Sequence, residues 1–187
     1  PVRIFVDAPG ASDKDYAKYQ EILAKSYNKW FTGTADVIRS AKREQEFADI
    51  MPLLQKGVNV EFVDHASAAD IWAHILPWSE VRWKCGPSAG GCYQRRKGEI
   101  PDLFLPKDHF VLKVLSSGQL GLSRVGLHEV GHSLGLSDQY DKAKDSTSHH
   151  RYSSAQSGKG VMSSLKKFSC DDADGIVNLI DLVRGVA

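Results

Sequence analysis

Apolar and polar positions alternate with two different periods near the start of the chain. In the segment Val2–Val6 every second residue is suited to burial and most residues favour strands, which predicts a first β-strand. From Tyr16 to Trp30, apolar residues recur at three- and four-residue steps, which predicts a long amphipathic helix. Ser12, followed by Asp15, resembles a capping box at the start of that helix. The chain is therefore expected to begin with a strand and a long helix.

Shorter apolar segments predict one more helical segment and four more strands up to residue 105. Region 78–99 is rich in loop-forming residues, and a short edge strand near Tyr93 is expected to turn back through Gly98. The other strands are rich in β-branched and aromatic residues. The other strands cover 58–63, 70–76 and 100–105. The helical segment lies within 34–56, and the residues available for burial in it are Ile38, Phe47, Ile50, Met51 and Leu54.

The end of the chain is predicted to form a surface loop and a last helix. Segment 139–160 is rich in Ser, Gln, Lys, His and Gly, which indicates an irregular loop. The helix begins near Ser169, and Asp171, Asp172 and Asp174 lie in its first turns, where the helix dipole favours negative charge. A calcium site is an alternative explanation of these acids, but the dipole explains them more simply. The apolar face of the helix is formed by Ala173, Ile176, Val177, Ile180 and Val183.

One segment in the last third of the chain has the pattern H-E-x-x-H-x-x-G-x-x-D. Residues four apart on a helix share a face, so His128 and His132 can bind one metal ion through their imidazole nitrogens. Glu129 is placed to reach a metal-bound water without being a ligand itself. Gly135 allows a left-handed turn that ends the helix. Asp138 can then supply a third, oxygen ligand, and the fourth position stays open for water.

The loop after this pattern offers rival candidates for the third ligand. Histidine is a commoner zinc ligand than a carboxylate, but Asp138 keeps the spacing that the glycine turn produces, so we favour it. A surface helix with solvent-facing histidines is the alternative to a metal site. The rival ligands are Asp141, His149 and His150. Two tyrosines, Tyr140 and Tyr152, are candidate oxyanion donors or ligands. The remaining histidines, His65, His74 and His109, have no partner pattern and are expected to be ordinary surface or core histidines.

The pattern resembles that of the metzincin clan of zinc endopeptidases, whose long motif places a third ligand after a glycine turn. Most of the clan has histidine at that position, and the aspartate form, here Asp138, resembles the snapalysin family of small secreted bacterial neutral proteases. Metzincins also carry a methionine in a tight turn beneath the metal, and Met162 lies where this Met-turn is expected. The specific resemblance covers roughly residues 122–164.

The resemblance implies an α+β fold with a twisted mixed sheet, an active-site helix, a Met-turn and a C-terminal helix. It implies a single catalytic domain, 1–187, with an upper lobe of about 1–135, a lower lobe of about 136–187 and substrate in the cleft between them. The substrate would pair with an edge strand of the sheet.

The implied activity is that of a zinc metalloendopeptidase with one catalytic Zn²⁺. Glu129 would act as general base toward a zinc-activated water that hydrolyses the peptide bond. One alternative is a highly selective processing or toxin-type metallopeptidase. Another is a non-catalytic binding module that contains zinc, although a structural site has no need of the base Glu129.

Composition limits the classes of partner. With 24 basic and 23 acidic residues the formal net charge is +1, which argues against nucleic acid as the main partner. No apolar run is long enough to span a bilayer, so no membrane partner is expected. The chain begins at Pro1 without an initiator methionine, as a mature or trimmed protein would. We expect a secreted or extracytoplasmic monomer that acts on a protein or peptide substrate.

The three cysteines bear on the compartment. Cys85 and Cys92 flank a flexible, glycine-rich stretch and could close a small disulfide loop, which would indicate an oxidising compartment. A reduced pair or a second metal site is the alternative. Cys170 is left over, and a buried thiol is its default assignment.

Overall fold

The computed structural model describes residues 1–87, 89–107, 124–136 and 170–184. These residues form a mixed α/β fold with one five-stranded, mostly parallel sheet and several helices, compatible with the predicted α+β class. The strands are β1 (Val2–Asp7), β2 (Val60–Phe62), β3 (Ile71–Leu76), β4 (Cys92–Gln94) and β5 (Asp102–Pro106). The helices are α1 (Asp13–Ser40), α2 (Met51–Lys56), α3 (Trp78–Cys85), α4 (Arg124–Ser133) and α5 (Cys170–Arg184), with a short 3₁₀ helix at Ala66–Ala68.

The chain divides into two compact units. The first comprises Pro1–Tyr27 and Val58–Ser133 and contains the whole sheet, α3 and α4. The second comprises Asn28–Gly57 and Leu134–Ala187 and contains α2 and α5. The division falls within α1, whose first half belongs to the first unit.

The sheet has the strand order β2-β1-β3-β5-β4. The first four strands in this order are parallel, whereas β4 runs antiparallel to β5 and occupies one edge. Because parallel strands need long crossover connections, helices lie between them in the chain. Alternate residues on one face of the sheet are apolar and buried, as expected for strands covered by helices. This buried face consists of Ile4, Val6, Ile71, Ala73, Ile75, Leu103 and Leu105.

Helix α1 begins with the predicted capping box. The backbone N–H of Asp15 donates to Ser12 Oγ at 3.2 Å, and the Ser12 hydroxyl donates to the Asp15 carboxylate at 2.7 Å. These bonds satisfy polar groups that the first turn of a helix leaves open. Within the first unit, the predicted apolar stripe is buried at Tyr19, Leu23 and Tyr27.

The prediction of a loop-rich region after Pro77 is wrong in its first part, because α3 forms there. The helix starts where the N–H groups of Glu80 and Val81 donate to the carbonyl of Pro77. It ends at Gly86, which has a φ of 111°. Val81 is the one buried hydrophobic residue of this helix, and its eight residues are too few for the apolar steps from Trp78 to Val81 and Cys85 to stand out as a helical period. The predicted edge strand after it is present as β4.

The predicted disulfide between Cys85 and Cys92 is confirmed. It joins the last residue of α3 to the first residue of β4. Both cysteines pack against a small apolar cluster formed by Leu76, Val81 and Phe104. The end of α3 and the edge strand are therefore held together by a covalent bond as well as by packing.

The second unit confirms most of the predicted burial. Three residues in α2 or just before it, Phe47, Ile50 and Leu54, are fully buried. Ile38 is also fully buried, but it lies in α1 and not in a second helix. In α5 the predicted apolar face is buried except at Val183, which is 79% exposed. At about 100° per residue, Val183 lies roughly 80° from Ala173, at the margin of the buried stripe and in the last helical turn. The prediction that Val183 is buried is therefore wrong.

Replacing both Cys85 and Cys92 by serine is expected to lower the free energy of unfolding by about 2–3 kcal/mol, because the short closed loop no longer restricts the unfolded chain. Urea unfolding followed by circular dichroism measures the change. Reductant should destabilise the native protein by a similar amount and leave the double variant unaffected. A native protein that is indifferent to reductant would contradict this role of the disulfide.

Candidate metal centre

Helix α4 presents two histidines one turn apart on the same face. The Nε2 atoms of His128 and His132 are 3.1 Å apart, and the rings meet edge to face with centroids 4.6 Å apart. The carboxylate of Glu129 joins them, with one ligand-capable atom of each residue within 4.8 Å of the others. The sequence-predicted pair of histidines and the predicted base are thus brought together.

Most of this cluster is removed from solvent. His128 is 6% exposed and Glu129 is 7% exposed, while His132 is partly buried. Removing a carboxylate from water is costly unless partners or a cation compensate for the lost hydration. Two imidazoles are nitrogen donors of the kind that zinc takes, and the adjacent carboxylate of Glu129 would offset part of the charge of the ion. The site is therefore chemically suited to a divalent cation.

The separation of the two imidazole nitrogens can be compared with zinc geometry. Two nitrogens at the usual bond length around a tetrahedral zinc ion are about 3.3 Å apart. The 3.1 Å between the Nε2 atoms is close to this value. An N–H···N hydrogen bond between neutral imidazoles has a similar length. Both a shared metal ion and a hydrogen bond fit the observed arrangement.

The end of α4 is anchored to α1 within the first unit. The hydroxyl of Ser133 donates to the carbonyl oxygen of Val130 and also lies 2.7 Å from the hydroxyl of Tyr27. Val130 and Tyr27 are both fully buried. Burial raises the pKa of Tyr27 well above its ordinary value, so this hydroxyl remains protonated at neutral pH. These contacts fix the helix that carries the two histidines.

The backbone of Gly91 closely approaches Glu129. A Cβ atom at Gly91 would lie 3.0 Å from Glu129 Cγ and 2.9 Å from the carbonyl oxygen of Phe104, which is tighter than side chains tolerate. Gly91 immediately precedes β4, and β4 lies at the end of the sheet order. A glycine at this position therefore brings an edge strand next to the predicted catalytic base.

The predicted turn after α4 is present. Gly135 has a φ of 97°, in the left-handed region that favours glycine, two residues after the helix ends at Ser133. Asp138 and Met162, the predicted third ligand and Met-turn residue, lie outside the described residues. The same holds for the rival candidates Asp141, His149, His150, Tyr140 and Tyr152, for His109 and for the side chain of Cys170.

His74 has partners that sequence analysis missed. Its Nε2 lies 2.8 Å from an oxygen of Asp102, and its Nδ1 lies 3.3 Å from an oxygen of Asp7. The ring also stacks between Trp72 and Phe104, with centroid distances of 4.8 and 4.6 Å. These residues come from three adjacent strands and are distant in sequence, so only the register of the sheet brings them together. His74 supports the sheet and is not part of the metal centre.

Comparison of the chain with protein-family models, with curated proteins and with solved structures finds no match. In the part of the chain that the structure describes, no helix combines the length and apolar character needed to cross a membrane. The side chains on α4 and their surroundings are therefore the features that bear on the function.

Replacing Tyr27 by phenylalanine should remove a buried hydrogen bond to Ser133 and lower the free energy of unfolding by about 1 kcal/mol at pH 7. It should also change the pH dependence. The pKa of Tyr27 is raised on folding, so the stability from its neutral hydroxyl is complete below about pH 10 and is lost as the pH rises further.

The native protein should accordingly lose about 1 kcal/mol more than Tyr27→Phe between pH 9 and pH 11. Urea unfolding of both proteins at the two pH values gives this difference. The other tyrosines titrate in both proteins and cancel. Parallel pH curves would show that Tyr27 ionises as easily in the folded as in the unfolded chain.

Proposed function

We propose that this chain is a zinc-dependent endopeptidase of the metzincin type. The observation that carries the proposal is the position of Glu129, buried beside two histidine Nε2 atoms that are 3.1 Å apart on one helix. His128, His132 and Asp138 would hold one zinc ion. Met162 would provide the Met-turn. The topology around α4 supports this proposal, because an edge strand of the sheet lies beside the carboxylate.

The donor set fits a catalytic rather than a structural zinc site. Catalytic zinc sites use three protein ligands and leave one position open, whereas structural sites have four protein ligands. The sequence supplies Asp138 six residues after His132, beyond the turn at Gly135. When bound, the ion supplies a Lewis acid for the scissile carbonyl and lowers the pKa of a water molecule.

Glu129 is placed to move protons during hydrolysis. It would accept a proton from the attacking water and transfer it to the departing amine. Its burial keeps most bulk water from the carboxylate. Its position is set by α4 on one side and by the backbone of Gly91 on another. A restricted carboxylate of this kind fulfils the geometric requirement of a general base better than a solvent-exposed one.

β4, which is an edge strand among the residues that the structure describes, is the proposed substrate-binding strand. An extended peptide that pairs with a sheet edge satisfies its own backbone hydrogen bonds. Because Gly91 precedes β4 and contacts Glu129, a peptide on this edge would pass close to the proposed base. The proposed substrate is therefore a segment of another protein in an extended conformation. We also propose that the peptidase is a monomer.

The disulfide supports the proposed location outside the cytoplasm. Disulfides persist in oxidising compartments and are rare in reducing ones. The bond between Cys85 and Cys92 therefore favours a secreted or extracytoplasmic protein. A selective processing or toxin-type peptidase would use the same centre and differ only in how few proteins it cleaves. A zinc-containing binding module would need no general base, which makes it the weaker alternative.

The proposal is tested by measuring zinc content and peptide hydrolysis in the native protein and in Glu129→Gln. We expect about one zinc per chain in both, and hydrolysis that is about 10²–10⁴-fold slower in the variant, because the general base is lost. His128→Ala and His132→Ala should lose zinc. His65→Ala, which replaces an exposed histidine, is the matched control and should keep both zinc and activity.

Absence of zinc from the native protein would overturn the proposed centre. Zinc without hydrolysis of any peptide in a diverse mixture would indicate a binding module or a highly selective peptidase. A digest of whole unfolded proteins followed by mass spectrometry separates a general from a selective peptidase, by showing many cuts or very few.

Replacing Gly91 by alanine should slow hydrolysis about tenfold through the displacement of Glu129, with zinc content unchanged. The same substitution should have little further effect in the Glu129→Gln background, because two residues that act through one group are not additive. Measured kcat values for the four proteins give this coupling. Equal effects in both backgrounds would show that Gly91 acts on the fold and not on Glu129.

A further inference from the structure

Five exposed cations of the first unit lie in two short segments at the end of α3 and after β4. We call them the basic patch: Arg82, Lys84, Arg95, Arg96 and Lys97. Residues 82–97 contain these five basic residues and no Asp or Glu. The whole chain has 24 basic and 23 acidic residues, so the rest of it has 19 basic and 23 acidic residues. Positive charge is therefore concentrated here in a chain that is otherwise slightly acidic.

Two bonds join the segments of the basic patch. The disulfide links Cys85, next to Lys84, to the first residue of β4. The side-chain amide of Gln94, next to Arg95, donates to the carbonyl oxygen of Lys84 at 3.1 Å. The segment of α3 that carries two of the cations and the segment after β4 that carries the other three are thus held together and are not independent loops.

Aromatic side chains accompany the cations. Trp83 is 79% exposed, and Lys84 Nζ lies 4.8 Å from the centroid of its ring. The guanidinium of Arg82 lies 5.4 Å from the centroid of Trp78. Tryptophan and arginine are the residues that most often contribute binding energy at protein interfaces. An exposed tryptophan among cations is therefore a feature of a recognition surface.

Within the described ranges of the chain, carboxylates neutralise little of the basic patch. Arg96 is 3.7 Å from Glu99, and both side chains are well exposed, so this ion pair contributes little. Among the residues that the structure describes, no carboxylate forms an ion pair with the other four cations. The charge of the basic patch is consequently available to a partner.

The basic patch continues the edge strand that we propose for substrate binding. Arg95 directly follows β4 and lies four residues after Gly91, or about 13 Å along an extended chain. A peptide paired with β4 would thus present side chains to Arg95 about four residues from the bond nearest Glu129. Acidic side chains at those positions would face cations and not solvent.

We infer that the basic patch binds acidic, extended polypeptide segments and gives the proposed peptidase a preference for Asp and Glu a few residues from the cleaved bond. The substrate role rests on the proposed function, whereas the binding does not. Complementary charge chiefly raises the association rate and the specificity of such binding, and salt weakens it. A protein partner fits better than other polyanions because the strand that the cations adjoin lies at the edge of the sheet in the part of the chain that the structure describes.

Binding is tested with Glu129→Gln, so that no peptide is consumed. Fluorescence anisotropy compares labelled peptides of equal length in which a block of Asp and Glu is replaced by Asn and Gln. We expect the acidic peptide to bind about tenfold more tightly at low salt and the difference to shrink at high salt. Adding Arg95→Glu and Lys97→Glu should abolish the preference. The matched control adds Lys14→Glu and Lys56→Glu, which reverse two exposed charges elsewhere, and should retain it.

Equal affinity for the acidic and neutral peptides would overturn the inference, as would an equal loss in the control variant. Binding to heparin or to anionic lipid vesicles without binding to acidic peptides would also overturn it. Hydrolysis assays on the native protein distinguish failure of this inference from failure of the proposed function. Hydrolysis without acidic preference would contradict only the inference, and acidic binding without any hydrolysis would contradict only the peptidase.

Discussion

The close approach of Gly91 to Glu129 is the contact on which the candidate site depends. It requires α4 to lie against the end of the sheet, and it requires the residue before the edge strand to lack a side chain. A side chain at Gly91 would meet both the carbonyl oxygen of Phe104 in β5 and the side chain of Glu129. The same contact places the edge strand of the described sheet beside Glu129, so the proposed binding strand and the proposed base lie in one small region.

Much of this arrangement could be predicted from local sequence. The capping box, the helical spacing of His128 and His132, the glycine turn and the disulfide each depend on residues that are close together in the chain, so their geometry follows from local rules. Helix α3 was not predicted because its eight residues are too few to establish an apolar period beside the loop-forming residues that follow. The prediction of burial failed at Val183 because the last turn of a helix lies at the limit of its packed face.

The partners of His74 could not be predicted, because they depend on the register of three strands. Asp7 and Asp102 reach the imidazole only when β1 and β5 flank β3 with the observed alignment. The approach of Gly91 to Glu129 is hidden in the sequence for the same reason. Nothing in the chain near residue 129 indicates which glycine will lie against it. The clustering of His128, Glu129 and His132 could thus be predicted from the sequence, whereas the surroundings of Glu129 depend on tertiary packing.

The disulfide at the start of β4 makes the order of this region depend on whether its surroundings are oxidising or reducing. In a reducing environment β4 would be held by its three-residue ladder with β5, by packing and by the hydrogen bond from Gln94 to Lys84. The glycine beside Glu129 would then be less firmly placed, and that hydrogen bond alone would join the cations of α3 to those after the strand. If the protein is the exported peptidase that we propose, it would be least active in the reducing compartment where it is synthesised, and formation of the disulfide after export would complete the site.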